Sequence, residues 1–338
     1  MTVIVHRPPS TVHRPIPYNT SMPSPLPPLI AIFGPTASGK SALAMSVCEA
    51  VGGEIITADS RQVYRYMDIG TDKPGPIDRA RVAHHMIDLV DPDKPYTLAI
   101  YQHDAYAAIE DVFARGHLPV LAGGTPLYVN AVIEGWTIPR VEPDHAFRDA
   151  LWRQAEAEGH APLYAQLREL DPRSAEGILP TNTRRIIRAL EVIHATGQPM
   201  SAQQAKSPPP YTILPILLEC DRTVLYRRID DRVDRQVERG LVEEVQCLHN
   251  RGYSFDMPAM SGLGYRQVGD YLLGKATLPK AIQRIKWDTH AFVRHQSNWF
   301  RRVSDAHRFN VTERLPTQEV LAIVQNFARV AQAHKPDV

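Results

Sequence analysis

The sequence is poor in cysteine and contains no long apolar run. Its 338 residues include three cysteines, Cys48, Cys220 and Cys247, which lie far apart and in no metal-ligand spacing. This pattern argues against a disulfide scaffold and a zinc finger, and it favours a reducing compartment. No stretch reaches the roughly 18 apolar residues of a transmembrane helix, and residues 1–24 lack the apolar core of a secretory signal. The sequence therefore predicts a soluble, cytoplasmic protein.

Net charge is also nearly absent, because 38 basic residues face 37 acidic ones. Its distribution is uneven. The segment 257–302 carries Arg266, Lys275, Lys280, Arg284, Lys286, Arg294, Arg301 and Arg302 against Asp270 and Asp288. Aromatic residues are interleaved with them, namely Tyr265, Tyr271, Trp287, Phe292, Trp299 and Phe300. Basic and aromatic groups together suit unstacked RNA bases, although the spacing of most of these aromatics favours a core role.

The chain predicts an α/β fold with a P-loop: a mostly parallel sheet with helices on both faces and a helical insertion. Apolar runs at Pro28–Phe33, Glu54–Ala58, Leu118–Ala122 and Ile213–Glu219 predict strands that alternate with helices. In such sheets ligands bind at the carboxyl ends of the strands. The residues at those ends are therefore the first candidates for a site.

Composition divides the chain further. Residues 1–28 contain eight prolines and no acidic residue, which predicts a disordered extension. The predicted core comprises residues 29–137 and 211–312, with helices over 40–51, from 127 onward and across 221–302. Strand-like runs disappear between 138 and 210, which predicts a helical insertion with helices at 144–158, 161–169 and 181–196. Residues 313–338 are expected to form a C-terminal helix or tail.

The strongest motif follows the first predicted strand and reads GPTASGKS over Gly34–Ser41. Its glycines permit backbone angles that turn N–H groups toward phosphate oxygens, and the next helix adds its positive end. Lys40 can reach a phosphate, and the Ser41 hydroxyl can ligate Mg²⁺. Phosphoryl-transfer P-loop proteins typically have an apolar strand that ends in a metal-binding Asp, whereas the strand at 118–122 ends in Ala-Gly-Gly-Thr. The motif therefore leaves open whether the bound diphosphate belongs to a nucleotide.

A second cluster, Asp59–Pro74, begins at the end of the second predicted strand. A carboxylate beside a phosphate loop can accept a proton or help to hold Mg²⁺. A simple helix N-cap is the alternative for Asp59 that the sequence leaves open.

At this point the chain resembles a known family, bacterial tRNA dimethylallyltransferase, also called tRNA isopentenyltransferase. The resemblance rests on GPTASGKS at 34–41, DSRQVYRYMDIGTDKP at 59–74 and GGTPLY at 123–128. It continues through NTRRIIRALEV at 182–192, GYRQ at 264–267, and Gln296 with Trp299-Phe300-Arg301. It covers about residues 29–303, and the string at 59–74 is more specific than a P-loop alone.

The resemblance implies transfer of a dimethylallyl group from dimethylallyl diphosphate to N6 of adenosine 37, next to the anticodon of tRNA, with release of diphosphate. The P-loop then holds a leaving group, with Mg²⁺ as cofactor and Ser41 as its protein ligand. The resemblance assigns catalytic roles to Thr36 as a donor to the diphosphate, Asp59 as general base and Arg232 as a further cation. The implied diphosphate-binding residues are Gly34, Thr36, Ala37, Ser38, Gly39, Lys40 and Ser41.

Family resemblance also implies the tRNA contacts. They are Asp59, Ser60, Arg61, Gln62, Thr125, Arg148, Arg184, Arg185, Arg188, Gly264, Tyr265 and Arg266. For Arg185 and Arg188 the alternative is a helix salt-bridged through Glu191. Near Arg232, the residues Arg227, Arg228, Arg235 and Arg239 are expected to be mostly solvated or tRNA-facing.

Two positions depart from the family pattern. Pro126 stands where glycine is common, so the local shape should change while Thr125 keeps its role. Arg294-His295 stands where Lys-Arg is usual, and His295 is expected to be neutral and packed.

Three other functions compete with this interpretation. They are prenyl transfer to free adenine nucleotides, a P-loop small-molecule kinase and non-catalytic RNA binding. The insertion at 138–210 and the basic segment at 257–302 favour a macromolecular acceptor, here the tRNA anticodon stem-loop, bound by a monomer that has no membrane partner.

Overall fold

The computed structural model describes residues 26–139, 141–203 and 206–332. The extension predicted for residues 1–28 lies outside the described residues as far as residue 25. The first strand already begins at Pro28, a position where a proline at a strand's start is tolerated. Among the described residues, no helix combines the length and apolarity needed to cross a membrane.

A six-stranded sheet organises the described part of the chain. Its strands are β1 (Pro28–Phe33), β2 (Gly53–Ala58), β3 (His84–His85), β4 (Leu118–Gly123), β5 (Thr212–Glu219) and β6 (His307–Asn310). Their order is β3-β2-β4-β1-β5-β6, and every neighbouring pair is parallel. The predicted α/β class with a parallel sheet is confirmed.

The helices fall into two sets. Those of the core are α1 (Lys40–Val51), α2 (Pro76–Arg81), α3 (Leu98–Ala114), α4 (Pro126–Ile133), α10 (Arg222–Glu238), α11 (Leu241–Asn250), α12 (Tyr265–Leu272), α13 (Leu278–Phe300) and α14 (Thr317–Gln332). Between β4 and β5 come α5 (His145–Glu158), α6 (Ala161–Leu170), α7 (Pro172–Glu176), α8 (Thr183–Thr196) and α9 (Met200–Gln203).

The sheet is buried because both of its faces are covered. Along β1 the side chains alternate: Leu29 and Phe33 join the cluster beneath α3 and α4, whereas Ile30 and Ile32 join the cluster beneath α1 and α14. All are fully buried. An apolar run without polar alternation is what a strand covered on both faces requires.

The segment between β4 and β5 has a hydrophobic cluster of its own. Leu163, Leu167, Ile186 and Leu190 are at its centre, and all its members come from residues 141–200. A third cluster packs α10, α11 and α12 against α13 and the segment after β2. The third cluster includes Val63 and Tyr64 of the segment that follows β2, so it adjoins the carboxyl end of that strand.

Two strands were not predicted. β3 has only two residues, and β6 reads His-Arg-Phe-Asn with three exposed side chains. Neither has an apolar pattern that periodicity could detect, since both lie at the edges of the sheet.

Candidate active site

Three neighbouring strands end beside one another in the order β2, β4, β1. Gly123 lies in register with Ala58 on one side and with Phe33 on the other. The sheet therefore places Asp59, the Gly124-Thr125 turn and the phosphate loop at one edge, although they are far apart in sequence.

The phosphate loop has the backbone geometry that its glycines predict. A Cβ atom on Gly34 would lie 2.5 Å from the carbonyl oxygen of Leu218, so only glycine allows this close approach of β1 and β5. Gly39 takes φ of 88° immediately before α1, and Ala37 takes φ of 65°. Left-handed angles at these two positions curl the loop around the end of the helix.

Several donors of this loop lack a carboxylate partner. The Ser38 hydroxyl is fully buried and has no hydrogen-bond partner in the described part of the chain. Lys40 Nζ donates to the Pro35 carbonyl at 2.8 Å. Loss of hydration lowers the pKa of Lys40 to about 7, and Arg232 acts in the same direction while Asp59 opposes it. Unmatched donors and a destabilised cation fit an anionic ligand.

A cavity of about 350 Å³ opens from this loop toward α10, and we call it the arginine cavity. It is lined by Ala37, Gly39, Lys40, Ser41, Ala42, Asp72, Arg228, Arg232, Arg235, Gln236 and Arg239. Arg232 and Arg239 each lie 3.6 Å from the Asp72 carboxylate, and Arg232 is only 26% exposed. Arg228 instead donates to the carbonyls of Val311 and Thr312.

A second cavity of about 310 Å³, the Asp59 cavity, lies on the other side of Arg232. Its lining includes Thr36, Asp59, Thr125, Arg232, Gln236, Tyr265, Thr289, Phe292 and Gln296. Arg232 and Gln236 line both cavities. An anion in the first cavity and a neutral group in the second would therefore meet beside Arg232.

Asp59 is partly engaged with its own backbone. Its Oδ1 atom accepts from the Arg61 N–H at 2.8 Å and from the Gln62 N–H at 3.4 Å. The carboxylate therefore caps the following turn, which does not continue into the helix that the N-cap alternative supposed. A carboxylate has acceptor capacity beyond one oxygen, so this cap is compatible with a second role toward the cavity.

Thr125 connects two loops of the site. Its hydroxyl accepts from the Ser60 N–H at 3.0 Å, and its own N–H donates to the Ala58 carbonyl at 3.1 Å. Pro126 follows as the first residue of α4, where a missing N–H breaks no helical hydrogen bond. The departure at Pro126 therefore leaves the Thr125 hydroxyl facing Ser60.

Arg61 and Gln62 serve as internal connections. The Arg61 guanidinium donates to the carbonyls of Pro258 and Ala259 and to the Ser261 hydroxyl. Gln62 Nε2 donates to the Thr71 carbonyl at 3.1 Å. Both side chains hold the walls of the Asp59 cavity in place.

The turn at residues 68–72 is held by side chains that the sequence did not single out. Glu244 accepts from the N–H groups of residues 68, 69 and 70 at 2.7–3.2 Å. Gln236 Nε2 donates to the carbonyls of residues 69 and 70. The buried Lys73 amine donates to the Tyr64 carbonyl and to the carboxylates of Asp68 and Asp88. Much of the long string at 59–74 therefore serves to fix this turn.

Tyr265 belongs to the same assembly. It is fully buried, and its hydroxyl donates to Glu244 at 2.6 Å. A Cβ on Gly70 would lie 2.5 Å from the Tyr265 ring, so glycine is required where ring and turn meet. Gly264 takes φ of 90° immediately before α12, and Arg266 is exposed and paired with Asp288 at 2.9 Å.

The four insertion arginines that were predicted to contact tRNA differ from one another. Arg148 and Arg188 pair with Glu191, whose side chain is 1% exposed, at 2.7 and 2.5 Å. Burial raises the pKa of Glu191, but the hydrogen bonds from both arginines outweigh it and leave the pKa below its ordinary value. Arg184 and Arg185 are exposed, with no ion pair to any described carboxylate. None of these four arginines is among the described residues that line the two cavities.

His295 does not match the packed environment expected for it, because it is exposed on α13. The helix buries Val293 and Gln296, so position 295 turns outward by helical periodicity. Arg294 beside it donates to the Tyr226 hydroxyl at 2.8 Å.

A divalent cation would find few protein ligands here. The described residues contain no cluster of three or more His, Cys, Asp or Glu side chains able to hold a metal. Ser41 is exposed at the start of α1 and lines the arginine cavity together with Asp72. This sparse oxygen set fits Mg²⁺, which keeps several waters and binds largely through the phosphates of a ligand.

Comparisons with known proteins identify relatives of this chain. The IPP transferase family model matches residues 62–303, and the isopentenyl transferase model matches residues 27–82. The chain is 55% identical to the tRNA dimethylallyltransferase of Roseiflexus castenholzii over 82% of this chain and 90% of that protein. It is 43% identical to the corresponding protein of Dehalococcoides mccartyi, over 90% and 93% of the two chains.

Solved structures show the same likeness. The tRNA isopentenylpyrophosphate transferase of Bacillus halodurans superposes with a TM-score of 0.67 at 37% identity, covering 91% of this chain and 97% of that one. A eukaryotic dimethylallyltransferase acting on tRNA superposes with a TM-score of 0.77 at 26% identity, covering 90% and 80%.

Proposed function

The chain belongs to the tRNA dimethylallyltransferase family of prenyltransferases, and on that premise we propose that its donor is dimethylallyl diphosphate and its acceptor is N6 of adenosine 37 in the tRNA anticodon loop. The observation that carries the proposal is the meeting of two cavities. The arginine cavity suits the diphosphate, the Asp59 cavity suits a flipped adenine, and Arg232 lines both.

The donor side would act by stabilising a leaving group. Negative charge grows on the diphosphate as its bond to C1 of the dimethylallyl group breaks, and preorganised donors stabilise that charge. Three groups suit this role, since Lys40 lines the arginine cavity, Thr36 lines the Asp59 cavity and Arg232 lines both. The buried Ser38 hydroxyl adds a donor that has no hydrogen-bond partner among the described residues.

Ser41 would hold Mg²⁺ together with the phosphate oxygens of the donor. When bound, Mg²⁺ supplies charge neutralisation for the leaving group. The absence of a cluster of three acidic, His or Cys ligands among the described residues supports a cation that arrives with its diphosphate.

The acceptor side would use Asp59 as general base. The exocyclic amine of adenine is a weak nucleophile, so its placement in line with C1 matters as much as loss of its proton. The amine attacks C1, diphosphate leaves, and the amine proton passes to the Asp59 carboxylate. The target base must first leave the stack, which costs a few kcal/mol that contacts around the flipped nucleotide offset.

The proposed tRNA contacts differ in their exposure. Arg184, Arg185 and Arg266 are exposed and suited to phosphates, whereas Arg61, Gln62 and Tyr265 shape the pocket from within. The protein would act on tRNA as a monomer in the cytoplasm. Relatives named for tRNA modification support this acceptor over a free adenine nucleotide or a kinase substrate.

The test is transfer to tRNA, read by mass spectrometry of its nucleosides after incubation with dimethylallyl diphosphate and Mg²⁺. We expect a dimethylallyl group on adenosine 37 in the wild type. Phosphate transfer from labelled ATP to any acceptor, or prenylation of free adenine nucleotides in preference to tRNA, would overturn the proposal.

Asp59→Asn tests the base. The amide oxygen can still accept from the Arg61 N–H, so the turn is retained while the proton acceptor is lost. We expect most turnover to disappear and most tRNA affinity to remain. Asp305→Asn, a change at an exposed residue in the loop before β6, is the matched control. Unchanged prenylation by Asp59→Asn would remove Asp59 from the mechanism.

A further inference from the structure

We propose that Gln296 is a positioning residue that keeps the phosphate loop aligned with the loop that supports Asp59. The proposal rests on the proposed function, because it assigns the leaving group to the first loop and the base to the second. Gln296 lines the Asp59 cavity, but its amide is engaged by the two loops that it joins, and it would act through them.

The contacts of Gln296 are buried and well directed. The residue lies on α13 and is 1% exposed. Its Oε1 atom accepts from the Thr36 N–H at 2.9 Å, and its Nε2 atom donates to the Gly124 carbonyl at 2.6 Å. One side chain, 260 and 172 residues away from its two partners, thus bridges the ends of β1 and β4.

The bridge extends to the base through Thr125. Thr125 follows Gly124, its N–H donates to the Ala58 carbonyl, and its hydroxyl accepts from the Ser60 N–H. Ala58 and Ser60 are the chain neighbours of Asp59. A shift of the Gly124 carbonyl therefore reaches Asp59 through one adjacent residue, while the other end of the same amide fixes Thr36.

A side-chain amide meets both requirements. Oε1 must accept and Nε2 must donate at the same time, which a carboxylate or a thioether of similar size does not do. The Thr36 N–H donates to Gln296. The hydroxyl of Thr36 is then the group that would donate to the diphosphate. The space is tight as well, because a Cβ on Gly124 would lie 2.9 Å from Nε2 and 3.5 Å from Lys40 Cε.

Misalignment should slow chemistry more than it weakens binding. Displacement of reacting groups by about 1 Å costs on the order of 10²-fold in rate. The diphosphate retains Lys40, Arg232 and the rest of the loop, whose contacts do not depend on Gln296. The expected signature is a loss in the single-turnover rate with nearly constant affinity for pyrophosphate.

Gln296→Met keeps the volume and removes both hydrogen bonds. We expect its single-turnover rate of prenyl transfer to fall about 10- to 100-fold, while its affinity for pyrophosphate changes less than about threefold. Gln102→Met is the matched control. Gln102 also bridges two carbonyls, those of Ala131 and Trp136, at 2.7 and 2.8 Å, but it is remote from both cavities.

Gly124→Ala tests the same bridge without changing the glutamine. Its Cβ would displace Nε2, and its backbone does not adopt the left-handed angles that would strain an alanine. We expect the same loss in rate. If Gln296→Met does not fold, this variant decides the question.

A double-mutant cycle separates positioning from general stability. In the Asp59→Asn background, Gln296→Met should cost less than about threefold, because the alignment it disturbs no longer serves a base. Equal losses in both backgrounds, or a loss matched by Gln102→Met, would overturn the role of Gln296. An inactive wild type would instead overturn the proposed function, so the two failures are distinguishable.

Discussion

Two pairs of cations have different electrostatic environments. One pair is Lys40 and Arg232 beside the phosphate loop, and the other is Arg148 and Arg188 in the insertion. Lys40 has a carbonyl as its hydrogen-bond partner, and Arg232 lies 3.6 Å from a half-exposed carboxylate. Arg148 and Arg188 lie at 2.7 and 2.5 Å from the buried carboxylate of Glu191. The first pair is held in an incompletely neutralised state, whereas the charges of the second pair are largely matched within the protein.

This difference indicates which cations await a ligand. A buried cation whose pKa is lowered by loss of hydration, and which has no carboxylate partner, is stabilised most by an incoming anion. A cation already paired with a buried carboxylate gains less, because binding a phosphate would weaken the existing pair. Within α8 the same contrast separates Arg184 and Arg185, which are exposed, from Arg188. We therefore expect the exposed arginines to dominate tRNA binding.

Removing the unmatched lysine should have the largest effect on activity. Lys40→Met deletes a donor to the leaving group, and loss of one such donor lowers kcat about 10²- to 10³-fold. The same change should leave the thermal midpoint unchanged or raise it, because the fold already disfavours the cation. Single-turnover assays and calorimetry measure the two quantities.

Lys94→Met serves as the control for that variant. Lys94 is exposed and paired with the neighbouring Asp93. Its loss should alter neither rate nor stability measurably. A Lys40→Met protein with wild-type turnover would show that the unmatched lysine has no role in the leaving group's stabilisation.

Removing the matched carboxylate should instead affect stability. Glu191→Gln retains the shape but leaves Arg148 and Arg188 without a counter-charge. Breaking a buried pair costs about 3–5 kcal/mol, and because each arginine is about one-third exposed and can reach water we expect about 2 kcal/mol. Urea unfolding gives this value, and Glu319→Gln, which breaks an exposed pair with Arg314, should cost less than about 0.5 kcal/mol. Equal costs for the two variants would contradict the contrast.

Local sequence patterns were sufficient for much of the fold. The helix over 40–51 and the strand over 28–33 have the predicted bounds, because a glycine loop and an apolar run mark both. β3 and β6 were missed because their pairing with β2 and β5 depends on tertiary contacts and not on an apolar run. α3 was not singled out either, although it covers one face of the sheet.

The site shows the same division. Short motifs identified the phosphate loop and Asp59, because the residues of each motif are neighbours in the sequence as well as in the structure. Glu244, Gln236 and Gln296 hold those motifs from more than 160 residues away. A buried Glu or Gln on a helix has no local signal that names its partner. The family resemblance includes Gln296 but assigns it no role.

The pH dependence of stability should distinguish the paired region further. The pKa of Glu191 in the folded protein lies below its ordinary value of 4.5. Its contribution to stability is therefore fully present above that value and is lost as pH falls through the lower, folded-state pKa. We expect the difference in unfolding free energy between wild type and Glu191→Gln to shrink as pH falls below about 4.5. A difference that stays constant or grows there would show that charge is not what the pair contributes.

The smallest expected effect concerns the carboxylate that faces Arg232. Asp72 lies 3.6 Å from both Arg232 and Arg239 and lines the arginine cavity, where it competes with an entering diphosphate for the same cations. Asp72→Asn should tighten pyrophosphate binding about two- to fivefold, since an exposed pair is worth about 0.2–1 kcal/mol. Pyrophosphate titration in low salt measures the change, and Asp270→Asn, which affects an exposed pair with Lys275 outside both cavities, should have none. Weaker binding by Asp72→Asn would mean that the carboxylate orients Arg232 for the ligand. The cations of the arginine cavity and those paired with Glu191 would then differ less than their distances to carboxylates indicate.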